Sequence, residues 1–390
     1  MTYHEAFISE RAARACAVAA QFCDQVDAEA RFPHETLRAL KDERLLSIMI
    51  PRDLGGEAAA LADVAEVCAM LGQNCASAGM VFAMHQIKTA TLVTHGVESE
   101  WHRTFMRRIA EAQLLLASAT TEGGGIGGNM RNSICAVEID CDRFTLQKEA
   151  SVISYAKEAD AIMVTARRSP QAPASDQVMA VALKHQYVLD QTGSWNTLGM
   201  RGTCSEGFVL TCDARAEQIF PKPFAEIAAQ SMLATAHILW SSLWYGIAAG
   251  AVQRAQSFVR AEARKKPGVA PLGAVRLAQT VSLLSLMKSG IAAATSRFES
   301  AKRANDELNS MGFAIEMNNL KVSASQLLNE IVREAMMICG IMGYRNDSPY
   351  SLGRQVRDAM SAPLMINNDR ISANSASLLL AHRIDARLAG

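Results

Sequence analysis

The spacing of apolar residues along the chain changes character twice. Up to about residue 112 they recur at helical intervals: ISERAARACAVAAQFCDQVDAEA carries Ala, Val and Phe on one face. FPHETLRALKDERLLSIMI repeats the pattern, with Leu37, Leu40, Leu45 and Ile48 as one stripe. Pro51 stops that stripe, and PRDLGGE supplies a turn with paired glycines. A further helix pair follows, ending near WHRTFMRRIAEAQ. The texture then shifts to short β-rich runs at turn-punctuated intervals: LLLASAT, SICAVEID, RFTLQKE, ADAIMVTARR, QVMAVALK and EGFVLTCDA. From Pro223 helical spacing returns and persists to the end. The pattern predicts an α+β chain, mostly α: an N-terminal helical domain over 1–113, a central β barrel or sandwich over 114–222, and a C-terminal four-helix bundle over 223–390.

One interval stands out. Between Glu226 and Arg254 the chain has no Asp, Glu, Lys or Arg, and IAAQSMLATAHILWSSLWYGIAAGAVQ is long enough to cross a bilayer. Gln230, His237, the Ser pair and Gln253 are costly in lipid, and no basic cluster anchors the ends. The expectation is a buried helix of a large helical domain, with no integral membrane segment. Length and charge add little: the 390 residues hold 39 Lys+Arg and 39 Asp+Glu, so a general polyanion binder is disfavoured and no nucleic-acid partner is expected. Nine cysteines at spacings without a C-x-x-C disfavour both metal fingers and a disulfide scaffold. With charge present at once in MTYHEAFISERAARA and no h-region, a cytoplasmic protein with reduced thiols is expected.

The candidate chemistry begins at GGGIGG, residues 123–128. It formally satisfies G-x-G-x-x-G, but the residues that follow, NMRNSICAVEID, read as strand rather than helix. A dinucleotide-binding fingerprint should open a helix, so a glycine-rich turn whose amides approach a ligand is the better reading.

Several further motifs fall in register with one family. FPHETLRALKDERLLSIMIPRDLGG, ATTEGGGIGGN, SVISYAKEADAIMVTARR, TLGMRGTCSEGFVL and RQVRDA together resemble the acyl-CoA dehydrogenase family over nearly the whole chain. The resemblance implies an FAD-binding oxidoreductase acting on acyl-CoA or a related thioester, assembled as a homotetramer or homodimer. It implies that Thr120 and Thr121 hold the flavin pyrimidine ring, that Val152 stands where an aromatic residue covers the ring, and that Ser154 contacts it. It places Arg264 toward the FAD pyrophosphate of a neighbouring subunit, and Asn368 and Arg370 near the adenylate.

The departures bear most on function. The family's catalytic Glu follows R-D-A by seven residues, and here Ile366 stands there. A second subgroup keeps that Glu on the central helix, where this chain has Ala236. Ile and Ala accept no proton, so the usual α-proton abstraction lacks its base. His237, beside Ala236, is the candidate catalytic replacement, although a lone His on an apolar helix is more often a hydrogen-bonded core residue. Three functions follow in order of expectation: flavin-dependent oxygenation of a thioester substrate, dehydrogenation with His237 as relocated base, and a non-catalytic paralogue that assembles with another protein.

Overall fold

A computed structural model describes residues 3–124, 129–304, 307–384 and 387, with side chains in the first helix from Ile8 onward. The N-terminal third is helical: α1 (Tyr3–Glu29), α2 (His34–Asp42), α3 (Leu61–Asn74), α4 (Ala76–His95) and α5 (Glu100–Ala112). The apolar stripe expected to run unbroken through Leu37, Leu40, Leu45 and Ile48 is interrupted. Helix α2 ends at Asp42, Arg44 turns left-handed at φ 54°, and Leu45–Ser47 forms a single 3-10 turn. Tertiary contacts override the local period there. The carbonyls of Leu45 and Leu46 accept hydrogen bonds from Gln86, and Leu46 also bonds the ring of His85.

Seven strands follow: β1 (Leu116–Ala119), β2 (Glu138–Asp140), β3 (Arg143–Ile153), β4 (Ala161–Arg167), β5 (Gln177–Leu183), β6 (Tyr187–Gly193) and β7 (Glu206–Arg215). They form a three-stranded sheet in the order β1-β4-β5 and a four-stranded sheet in the order β2-β3-β7-β6. Strand β1 runs parallel to β4, and the other pairs are antiparallel. Alternation along β3 sends Phe144, Leu146, Lys148 and Ala150 inward, and their partners on β7 include Phe208, Leu210 and Cys212. Both sheets contribute to one core, which also takes Ile162 and Val164 from β4 and Val178 and Ala180 from β5.

The C-terminal part consists of α6 (Phe224–Ile227), a π-helical turn (Ala228–Met232), α7 (Leu233–Lys265), α8 (Ala274–Ala301), α9 (Met311–Cys339), α10 (Ile341–Tyr344), α11 (Gly353–Ala359) and α12 (Asn368–Leu379). The uncharged interval becomes the buried stretch of α7, including Ile238, Leu239, Leu243, Trp244, Ile247 and Ala251. Small residues allow its close approach to the end of α3. A Cβ on Gly246 would lie 2.0 Å from the Ala69 carbonyl oxygen, and one on Gly72 would lie 2.3 Å from that of Leu243. Among the described residues the helix apolar and long enough to cross a membrane is a different one, α8. By compact packing the chain divides into two units. One comprises residues 1–67, 80–197 and 201–236; the other comprises 68–79, 198–200 and 237–390.

Candidate functional site

In the first unit the candidate residues gather around the end of β1 and the start of the glycine turn. The Thr121 hydroxyl donates to the Val152 carbonyl at 2.7 Å, which ties the turn to the end of β3. Thr120 makes no side-chain hydrogen bond among the described residues. Ser154 shares a hydroxyl contact of 2.7 Å with Ser205, which lies 2.9 Å from the hydroxyl of Thr203. Tyr155 then takes a left-handed φ of 44°, and its phenol donates to the Leu116 carbonyl, so the Val152–Ser154 segment is fastened to β1. Gly124 turns at φ 62°, while Gly125 and Gly128 of the motif lie outside the described residues.

Glu122 anchors this turn from below. Its carboxylate accepts from the Ser133 hydroxyl at 2.8 Å, from the backbone N–H groups of Ile134 and Cys135, and from the ammonium of Lys148 at 3.3 Å. Lys148 also donates to the carbonyl and hydroxyl of Thr165, at 2.7 and 3.3 Å. Both side chains are buried, Lys148 completely. Burial pushes the Lys148 ammonium below its usual range, and Glu122 pulls it back.

In the second unit His237, on α7, is buried and meets α9. Its Nδ1 lies 2.9 Å from the Met317 carbonyl oxygen, a contact that only a protonated Nδ1 satisfies, so the neutral ring presents Nε2 as an acceptor. Desolvation is the leading cause that lowers its pKa to about 4, and Lys321 lowers it further against the raising effect of the Met317 contact. The Trp240 ring lies 6.1 Å away. The indole N–H of Trp240 and the hydroxyl of Ser241 are buried without a hydrogen-bond partner among the described residues. Residues 237, 240 and 241 share one face of α7 by helical spacing.

Lys321 of α9 holds the segment after α11. Its ammonium donates to the carbonyls of Ala362 and Ile366, at 3.1 and 2.9 Å, and to Oδ1 of Asn368 at 2.7 Å. It stands 5.7 Å from the Trp244 ring, and burial lowers it to about 8. Ile366 occupies the left-handed region at φ 45°, a conformation a β-branched residue adopts only under constraint. Two of the motifs noted in the sequence also meet here. The Asp358 carboxylate accepts the Met200 N–H at 2.6 Å, and Arg357 donates to the Leu198 carbonyl. Arg264, in the last turn of α7, and Arg370, on α12, are exposed and make no ion pair among the described residues. Asn368 is committed inward, because its Nδ2 donates to Ser325 at 3.0 Å while its Oδ1 takes Lys321.

Residues 2–100 match the model of the acyl-CoA dehydrogenase N-terminal domain, and residues 227–366 match that of the C-terminal domain. The chain belongs to the acyl-CoA dehydrogenase family. It is accordingly a flavin-dependent oxidoreductase. It is 23% identical over 353 residues to cyclohex-1-ene-1-carbonyl-CoA dehydrogenase of Geobacter metallireducens, an alignment that spans 89% of this chain and 90% of that one. Its fold is similar to FMN-bound TdsC from Paenibacillus sp. A11-2, with a TM-score of 0.82 at 18% identity over 96% of this chain and 98% of that one. It is also similar to butyryl-CoA dehydrogenase from Megasphaera elsdenii, with a TM-score of 0.77 at 17% identity and the same coverage.

Sequence reasoning missed Lys321, which on its helix reads as an ordinary surface cation, and it missed the unpartnered donors of Trp240 and Ser241. Helical spacing carries no sign that the polar atoms of those two lack partners.

Proposed function

We propose that this member of the family is an FAD-dependent oxygenase acting on an acyl-CoA-type thioester rather than an α,β-dehydrogenase. One observation carries the reading: neither position at which the family holds its proton-abstracting Glu presents an acceptor side chain. Ile366 is apolar, and its carbonyl is already bound by Lys321. Ala236 is a buried methyl group. His237, the neighbouring candidate, is held near a pKa of about 4, whereas a general base works best when its pKa lies near the operating pH. Oxygen insertion does not need an α-proton acceptor. TdsC, similar in fold, is a dibenzothiophene monooxygenase, which accords with this chemistry on the same scaffold.

Bound flavin would supply the electron transfer and, once reduced, the activation of dioxygen. The residues present fit it in part. Thr120 has a free hydroxyl for a ring edge, Thr121 and Val152 form the tied wall of the turn, and Ser154 stands in a chain of hydroxyls. Arg264 and Arg370 are free forks suited to the pyrophosphate that distinguishes FAD from FMN. The Asn368 amide is consumed by Lys321 and Ser325, so the adenylate contact falls to Arg370. The N–H of Trp240 and the hydroxyl of Ser241 are donors for a thioester carbonyl, and the surrounding apolar face of α7 excludes water from it. A homotetramer or homodimer belongs to the same reading. Helix α8 leaves Val275, Val281 and Leu286 exposed, an apolar surface that a second copy would cover.

The alternative, dehydrogenation with His237 as relocated base, draws on the open Nε2 of that ring. An anaerobic titration of the flavin-loaded protein with acyl-CoA thioesters separates the two. The oxygenase keeps its flavin oxidised until an external reductant is added. Bleaching by thioester alone, abolished in His237→Ala, would establish the dehydrogenase instead.

A further inference from the structure

Lys88 lies on α4, outside the cluster described above, and its environment is unusual for an ammonium. The side chain is 4% exposed, and among the described residues its one hydrogen-bond partner is the thioether sulfur of Met232 at 3.1 Å. No carboxylate among the described residues compensates it: burial is the sole cause that shifts its pKa, down to about 7. The other buried lysines show what compensation looks like here. Lys148 is met by one carboxylate and two further oxygens, and Lys321 by three oxygens. An unpaired charge in the interior costs free energy, and a thioether is among the weakest acceptors a protein has.

The partner's own setting is the second observation. Met232 closes the π-helical turn Ala228–Met232, a widened turn of a kind that is frequent at functional sites. The same turn is held from α4 two helical turns further along the same face, where the His95 ring lies 3.0 Å from the Ser231 hydroxyl. Two polar residues of α4 seven positions apart thus meet successive residues of the widened turn. Met232 is unbranched and flexible, so its sulfur can withdraw without breaking a backbone contact.

We propose that Lys88 is the recognition point for the carboxylate of a small organic ligand, with the Met232 sulfur occupying the place of the anionic oxygen when no ligand is bound. The arriving carboxylate supplies the missing counter-charge, forms a charge-assisted hydrogen bond with the ammonium, and displaces the thioether. Selection is for an anionic oxygen terminus carried on an apolar body, since the face of α4 that carries Lys88 also carries the buried Val81 and Leu92. This inference does not depend on whether the flavin chemistry is oxygenation or dehydrogenation.

The test uses purified flavin-loaded protein and matched probes: straight-chain alkanoates from butyrate to octanoate, each beside the amide of equal length, with binding read from the ligand-dependent rise in melting temperature. The wild-type protein is expected to bind at least one alkanoate about tenfold more tightly than its amide, the worth of one charge-assisted hydrogen bond. In Lys88→Met that ratio falls to near one while the variant still melts cooperatively. If the wild type treats every alkanoate and amide alike, or if Lys88→Met keeps the preference, the assignment is overturned. Should Lys88→Met fail to fold, Lys88→Leu provides the same comparison, and a preference it keeps overturns the assignment.

Discussion

Two buried polar groupings in this molecule are handled in opposite ways. Beneath the glycine turn, Glu122 and Lys148 form an ion pair in which oxygens, amides and hydroxyls all find partners. On α7, His237 has one nitrogen bound, and the polar atoms of Trp240 and Ser241 have no partner among the described residues. A fully satisfied network fixes a loop in one place. An unsatisfied one has hydrogen-bonding capacity left for something else. The difference separates scaffold from site more sharply than residue type does, since both groupings contain a titratable residue and at least one hydroxyl.

That contrast can be broken by mutation, with the largest effect expected in the satisfied network. Glu122→Gln or Lys148→Met alone leaves an uncompensated charge in the interior and should cost about 3–5 kcal/mol of folding stability, measured by urea denaturation. The double variant Glu122→Gln, Lys148→Met should lose clearly less than the sum of the two. Additive losses would show that the pair is not a coupled unit.

Lys88→Met should act in the opposite direction and stabilise the protein. In the native state burial holds the Lys88 amine near about 7, against 10.5 ordinarily, so between those values the unfolded chain binds a proton that the native chain does not. Native stability therefore rises with pH across that window, and the penalty is fully present below it. The gain from Lys88→Met should be greatest below pH about 7 and vanish above about 10.5. Melting curves across the range check the sign, and a loss of stability below neutrality would mean that the amine is structurally satisfied.

The smallest change is expected at Ser241→Ala. Removing a buried hydroxyl that has no partner leaves no other group unpaired, so stability should move by no more than about 0.5 kcal/mol. If the hydroxyl faces substrate, kcat/KM with thioester should fall all the same. A stability loss without a kinetic one would make Ser241 part of the packing.

How much of this was legible in the sequence follows from the physics of each element. Helices with a one-sided apolar stripe, and strands with β-branched runs, announce themselves locally, and β3 even shows Lys148 at an inward-facing position of its alternation. Strand β6, YVLDQTG, was missed because it forms the edge of its sheet and is mostly exposed, so it has no buried face to impose a pattern. The break after α2 was missed because its cause, the capture of the Leu45 and Leu46 carbonyls by α4, is long-range. At the site, the absence of Glu at 236 and 366 could be read residue by residue, but the left-handed turn at Ile366 and its clasp by Lys321 could not. Lys88 did carry a signal. It is the lone Lys, Arg, Asp or Glu in the sequence of α4, on a helix otherwise apolar or small on most faces.

The central claim, that this scaffold inserts oxygen rather than removing hydrogen from a thioester, is tested most directly by labelled dioxygen. The flavin-loaded protein would be given an acyl-CoA thioester and an external reductant under isotopically labelled dioxygen, and the product examined by mass spectrometry. One labelled oxygen atom in the product is the expected result. An unlabelled enoyl thioester, formed without the reductant, would contradict it.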